Sequence, residues 1–289
     1  MMEQAGAGVA ERISARSDGA ATCRRLPLRK FGIVNWIGVF SLTRRQWRNG
    51  LADYHYQILG PVVSSLLYLA VFHLALSTLQ SGGMNVSGGD MLHFIAPGLV
   101  IYAACEKAYE SSAATLILDK HERVIVDMLM APLTALERTV AYAIGACGSG
   151  LAVGLAVAVA TLIFARQVPA DPLALIYFAI GGTVMHGLIG TLVGIWAQKW
   201  DQYAVIHTFL LLPLSFLSGV FYRVDSLPAM AQLLIGFNPI FYVIDGFRRG
   251  FSGAGVSHPL VAAGIVMLVD LCLFLSVYLC FRRGYRLKP

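Results

Sequence analysis

Long apolar stretches alternate with short polar ones along most of this chain. Six of them, roughly Tyr56–Leu79, Phe94–Leu118, Thr139–Ala165, Leu173–Trp196, Val205–Tyr222 and Pro259–Phe281, are 18 or more residues long. A helix needs about 20 mostly apolar residues to cross a hydrocarbon core of ~30 Å. The pattern therefore predicts an all-α polytopic membrane protein with six transmembrane helices. Ahead of the first stretch, Leu28–Gly50 carries Phe31, Val34, Ile37 and Phe40 at helical spacing, with Arg44, Arg45 and Arg48 beside Trp36 and Trp47. Such a segment reads as an amphipathic helix in the membrane interface. A basic flank that only fixes orientation gives the same composition.

Residues 236–251, between the fifth and sixth stretches, are too polar to cross a bilayer and too apolar for an ordinary loop, and two short helices are read across 226–251. Ser226 before Leu227-Pro228 reads as a helix N-cap with proline in the first turn, and Leu227, Met230, Leu234 and Phe237 mark one face. Asn238 and Pro239 end that helix and open a second, as its cap and first residue. Ile240, Val243, Ile244 and Phe247 keep the i, i+3, i+4, i+7 spacing of that helix, and Asp245 can reach Arg248 and Arg249. Helices of about ten residues are about 15 Å long, half a bilayer. The segment is predicted as a short outer-leaflet helical hairpin. It either dips into the leaflet under protein cover or lies flat on the surface.

Composition fits this picture: 57% of residues are apolar and 13% charged, with a mean hydropathy of +0.68, against about 25% charged in soluble domains. The net charge of +6 does not point to nucleic acid, because the basic residues gather at helix ends and in a tail. Nine Lys/Arg precede the first stretch, three lie in 119–138, one in 197–204 and four after 281, making seventeen on one side. The other side holds four, one in 166–172 and three in 223–258. The positive-inside rule then places both termini in the cytoplasm.

Residues 1–29 have no apolar core of a signal peptide and are expected to form a disordered cytoplasmic tail. Residues 30–285 make up the transmembrane domain, and 286–289 a short cytoplasmic tail. Four of the five cysteines (Cys105, Cys147, Cys272, Cys280, but not Cys23) sit in apolar stretches, and no two form a C-x-x-C. They read as small apolar fillers. His73, His186 and His207 stand without a second ligand at metal spacing, so no metal site and no catalytic residue is predicted.

Gly150, Gly154 and Ala158 recur every fourth residue, as do Gly190 and Gly194. This spacing lets helix backbones approach closely. The second stretch also contains Glu106, Lys107 and Glu110. Each ionisable group at a helix centre costs about 2.5–3.5 kcal/mol on insertion scales, so the three need partners. Lys107 can reach Glu110 at i+3. The cluster is either a polar lining of a transport path or dimer interface, or a self-neutralising pair in a wet entrance.

The span count, the "FIAPG" at 94–98, the "DKHERVIVDMLMAPLTALE" at 119–137 and the "PLSFLSGVFYRVDSLPAMAQLLIGFNPIFYVIDGFRRGF" at 213–251 together resemble the type-2 ABC exporter permeases. The likeness is strongest to their YadH-like and nodulation-factor-exporter branch and covers about residues 30–285. It implies an exporter subunit of the bacterial inner membrane, surrounded by membrane lipids, that pairs with a second copy of itself and seats two copies of a cytoplasmic ABC ATPase. The cargo would be amphiphilic, glycan or lipid-like.

The resemblance also implies that 119–137 holds the ATPase-coupling helix, with Glu122, Arg123, Asp127, Met128, Leu129 and Pro132 at the contact. The chain has no G-x-x-x-x-G-K-[ST] phosphate loop. It is therefore expected to hold no cofactor and to be no enzyme, with ATP and Mg bound by the partner. The rival reading is a proton-coupled secondary transporter using Glu106 and Glu110. It would call for two broken spans related by a repeat, and the sequence shows one broken segment.

Overall fold

The computed structural model describes residues 35–50, 54–81, 88–163, 168–253 and 255–286. The predicted tail, and Phe31 and Val34 of the interfacial helix, lie outside them. All regular structure among the described residues is helical. In chain order the helices are α1 (Trp36–Gly50), α2 (Tyr54–Ser81), α3 (Gly88–His121), α4 (Ile125–Met130), α5 (Ala135–Thr161) and α6 (Pro172–Trp196). After these come α7 (Trp200–Ile206), a π-helical turn (His207–Leu211), α8 (Leu212–Leu217), α9 (Ala229–Gly236), α10 (Pro239–Ser252) and α11 (Pro259–Arg283).

Among the described residues, four helical segments are long and apolar enough to cross a membrane: His55–Ala75, Ala135–Thr161, Pro172–Trp196 and Pro259–Arg283. The second predicted stretch lies within α3, whose 34 residues reach about 50 Å. Its middle carries the Glu106–Glu110 cluster. The fifth stretch is not one uniform helix. It runs as α7, the π turn and α8, and stops at Leu217 rather than Tyr222. Gly219 then takes a left-handed φ of +79°, which turns the chain at little cost only because the residue has no side chain.

α3 is the central helix, packed between α5 and α6. Its contact residues Leu99, Ala108, Tyr109, Ala113 and Leu116 are wholly buried. The predicted small-residue packing is what permits this. A Cβ on Gly190 of α6 would stand 2.3 Å from the Tyr109 carbonyl oxygen, and one on Gly150 of α5 would stand 2.6 Å from that of Ala104. Backbone oxygens cannot move aside as a side chain would, so only glycine fits at this separation.

α1 is amphipathic, as its sequence predicts, but its packed face is not the one formed by Ile37 and Phe40. Val39, Leu42, Thr43, Gln46 and Gly50 are buried and face α5. Trp36, Ile37, Phe40 and Trp47 remain exposed, the arrangement of a helix lying in an interface. Trp47 also donates from Nε1 to the Gly145 carbonyl at 3.1 Å.

α9 and α10 meet at 95°, and Asn238 caps α10 as predicted, its Oδ1 accepting from the Ile240 N–H at 3.1 Å. α9 departs from expectation. Its N-cap is Pro228, so the proline stands before the first turn and not within it. The Ser226 side chain lies outside the described residues. Met230, Leu234 and Phe237 point outward, while Ile235 is the buried residue. α10 is sunk among α6, α11 and α3, with Ile240, Val243, Ile244 and Phe247 covered.

Candidate functional site

Three constellations emerge, and α3 runs through all of them. At its C-terminal end, Arg123 adopts a φ of +60° and the chain reverses into α4. α4 is anchored by Ile125 and by Met128, which is 5% exposed and meets the Tyr142 hydroxyl at 3.4 Å. The turn after α4 is closed by a capping box. The Thr134 side chain accepts from the Glu137 N–H, and Glu137 accepts from the Thr134 N–H at 2.7 Å. Glu137 also accepts from the Asn35 N–H at 2.5 Å, while Asn35 Nδ2 donates to the Pro132 carbonyl. Arg138 donates to the Leu129 and Ala131 carbonyls. One carboxylate thus joins α1, the turn and α5.

This scaffold leaves one face of 122–136 open. Of the predicted coupling residues, Glu122, Arg123, Asp127 and Pro132 are exposed, Leu129 is half-buried and Met128 faces inward. The outward apolar residues are Val126, Leu136 and Met130, the last 79% exposed.

Behind α4, Asp119 is paired with Arg45 of α1. Burial pushes the Asp119 carboxyl above its ordinary range, against the pull of Arg45. Lys120 donates to the carbonyls of Gly194, Ile195 and Ala197 at the C-terminal end of α6. A cation there satisfies orphan helix carbonyls and opposes the helix dipole. Burial, and then the nearby Arg286, lower the Lys120 pKa from 10.5 to about 8. Nothing in the sequence around Lys120 marks this role.

In the middle of α3, Lys107 is 2% exposed. It donates to Gln57 of α2 and to Glu110 Oε2 at 3.2 Å, so the expected i, i+3 pair forms. Glu106 turns the other way, 3.3 Å from Nε2 of His207. His207 opens the π turn and stacks with Tyr109 and Tyr203. Gln57 and His207 carry no sequence signal beyond being polar in apolar stretches. Ser64, Ser65, Tyr68, Tyr102 and Phe216 join the cluster around a cavity of about 280 Å³.

At the opposite end of α3, the prediction for Asp245 is overturned. It pairs with neither arginine. Its two oxygens accept from the Val256 N–H, the Ser257 N–H and the Ser257 hydroxyl, closing the loop after α10. Arg249 donates to the Ser257 carbonyl. Arg248 is buried, and donates to Phe94 O at 3.1 Å, Gly219 O at 3.0 Å and Val220 O at 3.4 Å. Its guanidinium lies 3.6 Å over the Phe94 ring. Asn238 Nδ2 completes the seam through Leu214 O and Ser218 Oγ. These donors satisfy the carbonyls freed where α8 ends, as non-helical backbone away from water requires. Among the described residues, no three His, Cys, Asp or Glu side chains converge as metal ligands.

Residues 38–251 match the family model described as ABC-2 type transporter. The chain is 28% identical over 256 residues to the inner membrane transport permease YadH of Escherichia coli, covering 88% of this chain and 98% of that one. It is 26% identical over 259 residues to nodulation protein J of Rhizobium leguminosarum bv. viciae, covering 87% and 95%. To nodulation protein J of Neorhizobium galegae it is 24% identical over 259 residues, covering 87% and 95%. Such a match assigns it to the ABC transporters and not to the proton-coupled carriers. The chain belongs to the ABC-2 type transporter family, as a multi-pass transport subunit of the bacterial inner membrane.

Proposed function

We propose that the chain is the permease half of an ATP-driven exporter, working as a pair of copies that each seat a separate cytoplasmic ATPase subunit. α2, α3, α5, α6, the α7–α8 run and α11 then serve as six spans. The excess of Lys/Arg on one side puts both termini and α4 in the cytoplasm. α9 and α10 form a re-entrant hairpin in the outer leaflet. The burial of α10 and the Arg248 seam favour that over helices lying flat on the surface. ATP and Mg belong to the partner subunit.

The observation that carries this reading is the shape of 119–137. A short helix is clamped from behind by Glu137, Arg138 and Met128, while it presents Glu122, Arg123, Val126, Asp127 and Met130 outward. A rigid knob with apolar centre and charged rim suits a protein contact, and can pass nucleotide-driven movement to α3 and α5. Amphiphilic cargo, glycan or lipid-like, would travel along the cavity bordered by Glu106, Lys107 and Glu110.

Purification in mild detergent tests the pairing directly. An ABC-type ATPase should accompany the wild-type chain and be lost from the Glu122→Arg, Asp127→Arg double variant, whose helical content is unchanged. Absence of any ATPase from the wild-type chain, with a neighbouring ATPase expressed, sinks the proposal.

A further inference from the structure

Remote from α4, a cavity of about 310 Å³ opens between the start of α3, the turn after α8, and α10 with its following loop. One wall is the guanidinium of Arg248, 8% exposed. Its hydrogen bonds all go to neutral carbonyls, and among the described residues no carboxylate pairs with it. Asp245, one turn away, has both oxygens occupied by the 256–257 loop. The cation thus keeps its charge beside an open space. Arg223 lines the same cavity, and its guanidinium stands 6.0 Å from the centroid of the same Phe94 ring. The negative ring face draws both cations, so two guanidinium groups border one cavity.

A buried cation whose nearest carboxylate, Asp245, is engaged by another loop is costly, and an anion in the cavity relieves that cost. The planar fork of arginine fits the oxygens of phosphate and carboxylate. Phe94, Pro97, Phe241 and Val256 supply apolar walls beside the cations. The space is larger than one oxyanion needs, so it admits a headgroup with part of its apolar attachment. We propose that this cavity is a binding site for a phosphate-type oxyanion. The ion comes either as the headgroup of an anionic amphiphile or as free phosphate. Asp225 and Asp245, which also line the cavity, work against binding and set the affinity. The assignment stands on this geometry alone, whatever cargo or ATPase the chain serves.

The test uses the full chain in dodecyl maltoside, titrated separately with dihexanoyl phosphatidate, dihexanoyl phosphatidylcholine and inorganic phosphate. The wild type should bind phosphatidate at least about ten-fold more tightly than phosphatidylcholine, and binding should weaken with salt. Arg223→Gln, which leaves the Arg248 seam in place, should weaken phosphatidate about ten-fold. Asp225→Asn should tighten it several-fold, and this variant tests the idea alone if the arginine variant does not fold. Binding of inorganic phosphate that competes with phosphatidate supports the site with a free ion as its ligand. Binding of phosphatidate alone supports it with a headgroup. Equal affinity for the anionic and zwitterionic amphiphiles, no binding of either anion, or indifference to both substitutions in folded protein overturns it.

Discussion

Each end of α3 holds a cation that serves backbone carbonyls, and the two do so under different conditions. At the α4 end, Lys120 gathers three carbonyls from one helix terminus. Arg286 stands close by, donating to the carbonyl of Trp196 at 3.1 Å, so that terminus has two cations. At the other end, Arg248 alone bridges two separate segments, the first turns of α3 and the Gly219–Val220 break. A flexible ammonium suits carbonyls that converge on one point, whereas a rigid fork suits carbonyls on different strands of chain. The first arrangement is redundant and beside exposed residues; the second is single and enclosed.

That contrast is broken most directly at Arg248. Arg248→Ala removes the donor for three carbonyls, and each buried group left unsatisfied costs about 1–3 kcal/mol. The expected loss is about 3 kcal/mol or more, read as a lower thermal midpoint in detergent or as failure to recover folded protein. Arg248→Lys should recover only part, since one ammonium does not reach from the Phe94 carbonyl to that of Gly219 as the fork does. If Arg248→Ala melts with the wild type, the seam is not what holds the hairpin.

A smaller effect is expected at the α4 end, where Arg45 and Asp119 pair across α1 and α3. The Asp119 side chain is almost wholly buried, Arg45 a third exposed, and Asp119 Oδ2 has no hydrogen-bond partner. Removing the arginine strands a buried carboxylate, while removing the charge of the carboxylate leaves a cation able to reach water. Arg45→Ala should therefore destabilise by about 1–2 kcal/mol and Asp119→Asn by less than about 1 kcal/mol. Equal losses in a double-mutant cycle would show that the pair acts as an ordinary surface bridge, without the burial seen here.

These ends also mark how far the sequence could be read. Apolar length located the long helices, because a bilayer demands length whatever the packing. Four-residue glycine spacing located the contacts that Gly150 and Gly190 make, because close approach leaves no alternative residue. Asn238-Pro239 announced a cap through its own local geometry. What stayed hidden depends on groups distant in sequence. Arg248 looked like a partner for Asp245 three residues away, but its partners are 28, 29 and 154 residues distant. His207 gave no sign of Glu106 until the π turn aimed it there. Near α4 the resemblance named residues without their facing, since six residues with apolar groups on both faces do not say which face is the buried one.

The finest test of the two-cation end is its pH dependence. The folded chain holds Lys120 at about 8 against an ordinary 10.5. Between those values the unfolded chain keeps a proton there that the folded chain has released. Raising the pH through this window therefore favours the folded state, and the penalty for burying the charge persists below about 8. Because the site adjoins water, screening keeps the effect under about 1 kcal/mol. Subtracting the stability of Lys120→Met from that of the wild type at each pH isolates it, since other titrating groups are common to both chains. The difference should move in favour of the wild type between pH 8 and 10. Arg286→Gln removes the second cause of the lowered pKa, so the same rise should begin at higher pH. A flat difference would mean that Lys120 is hydrated in solution, and that the last turn of α6 is held by Arg286 instead.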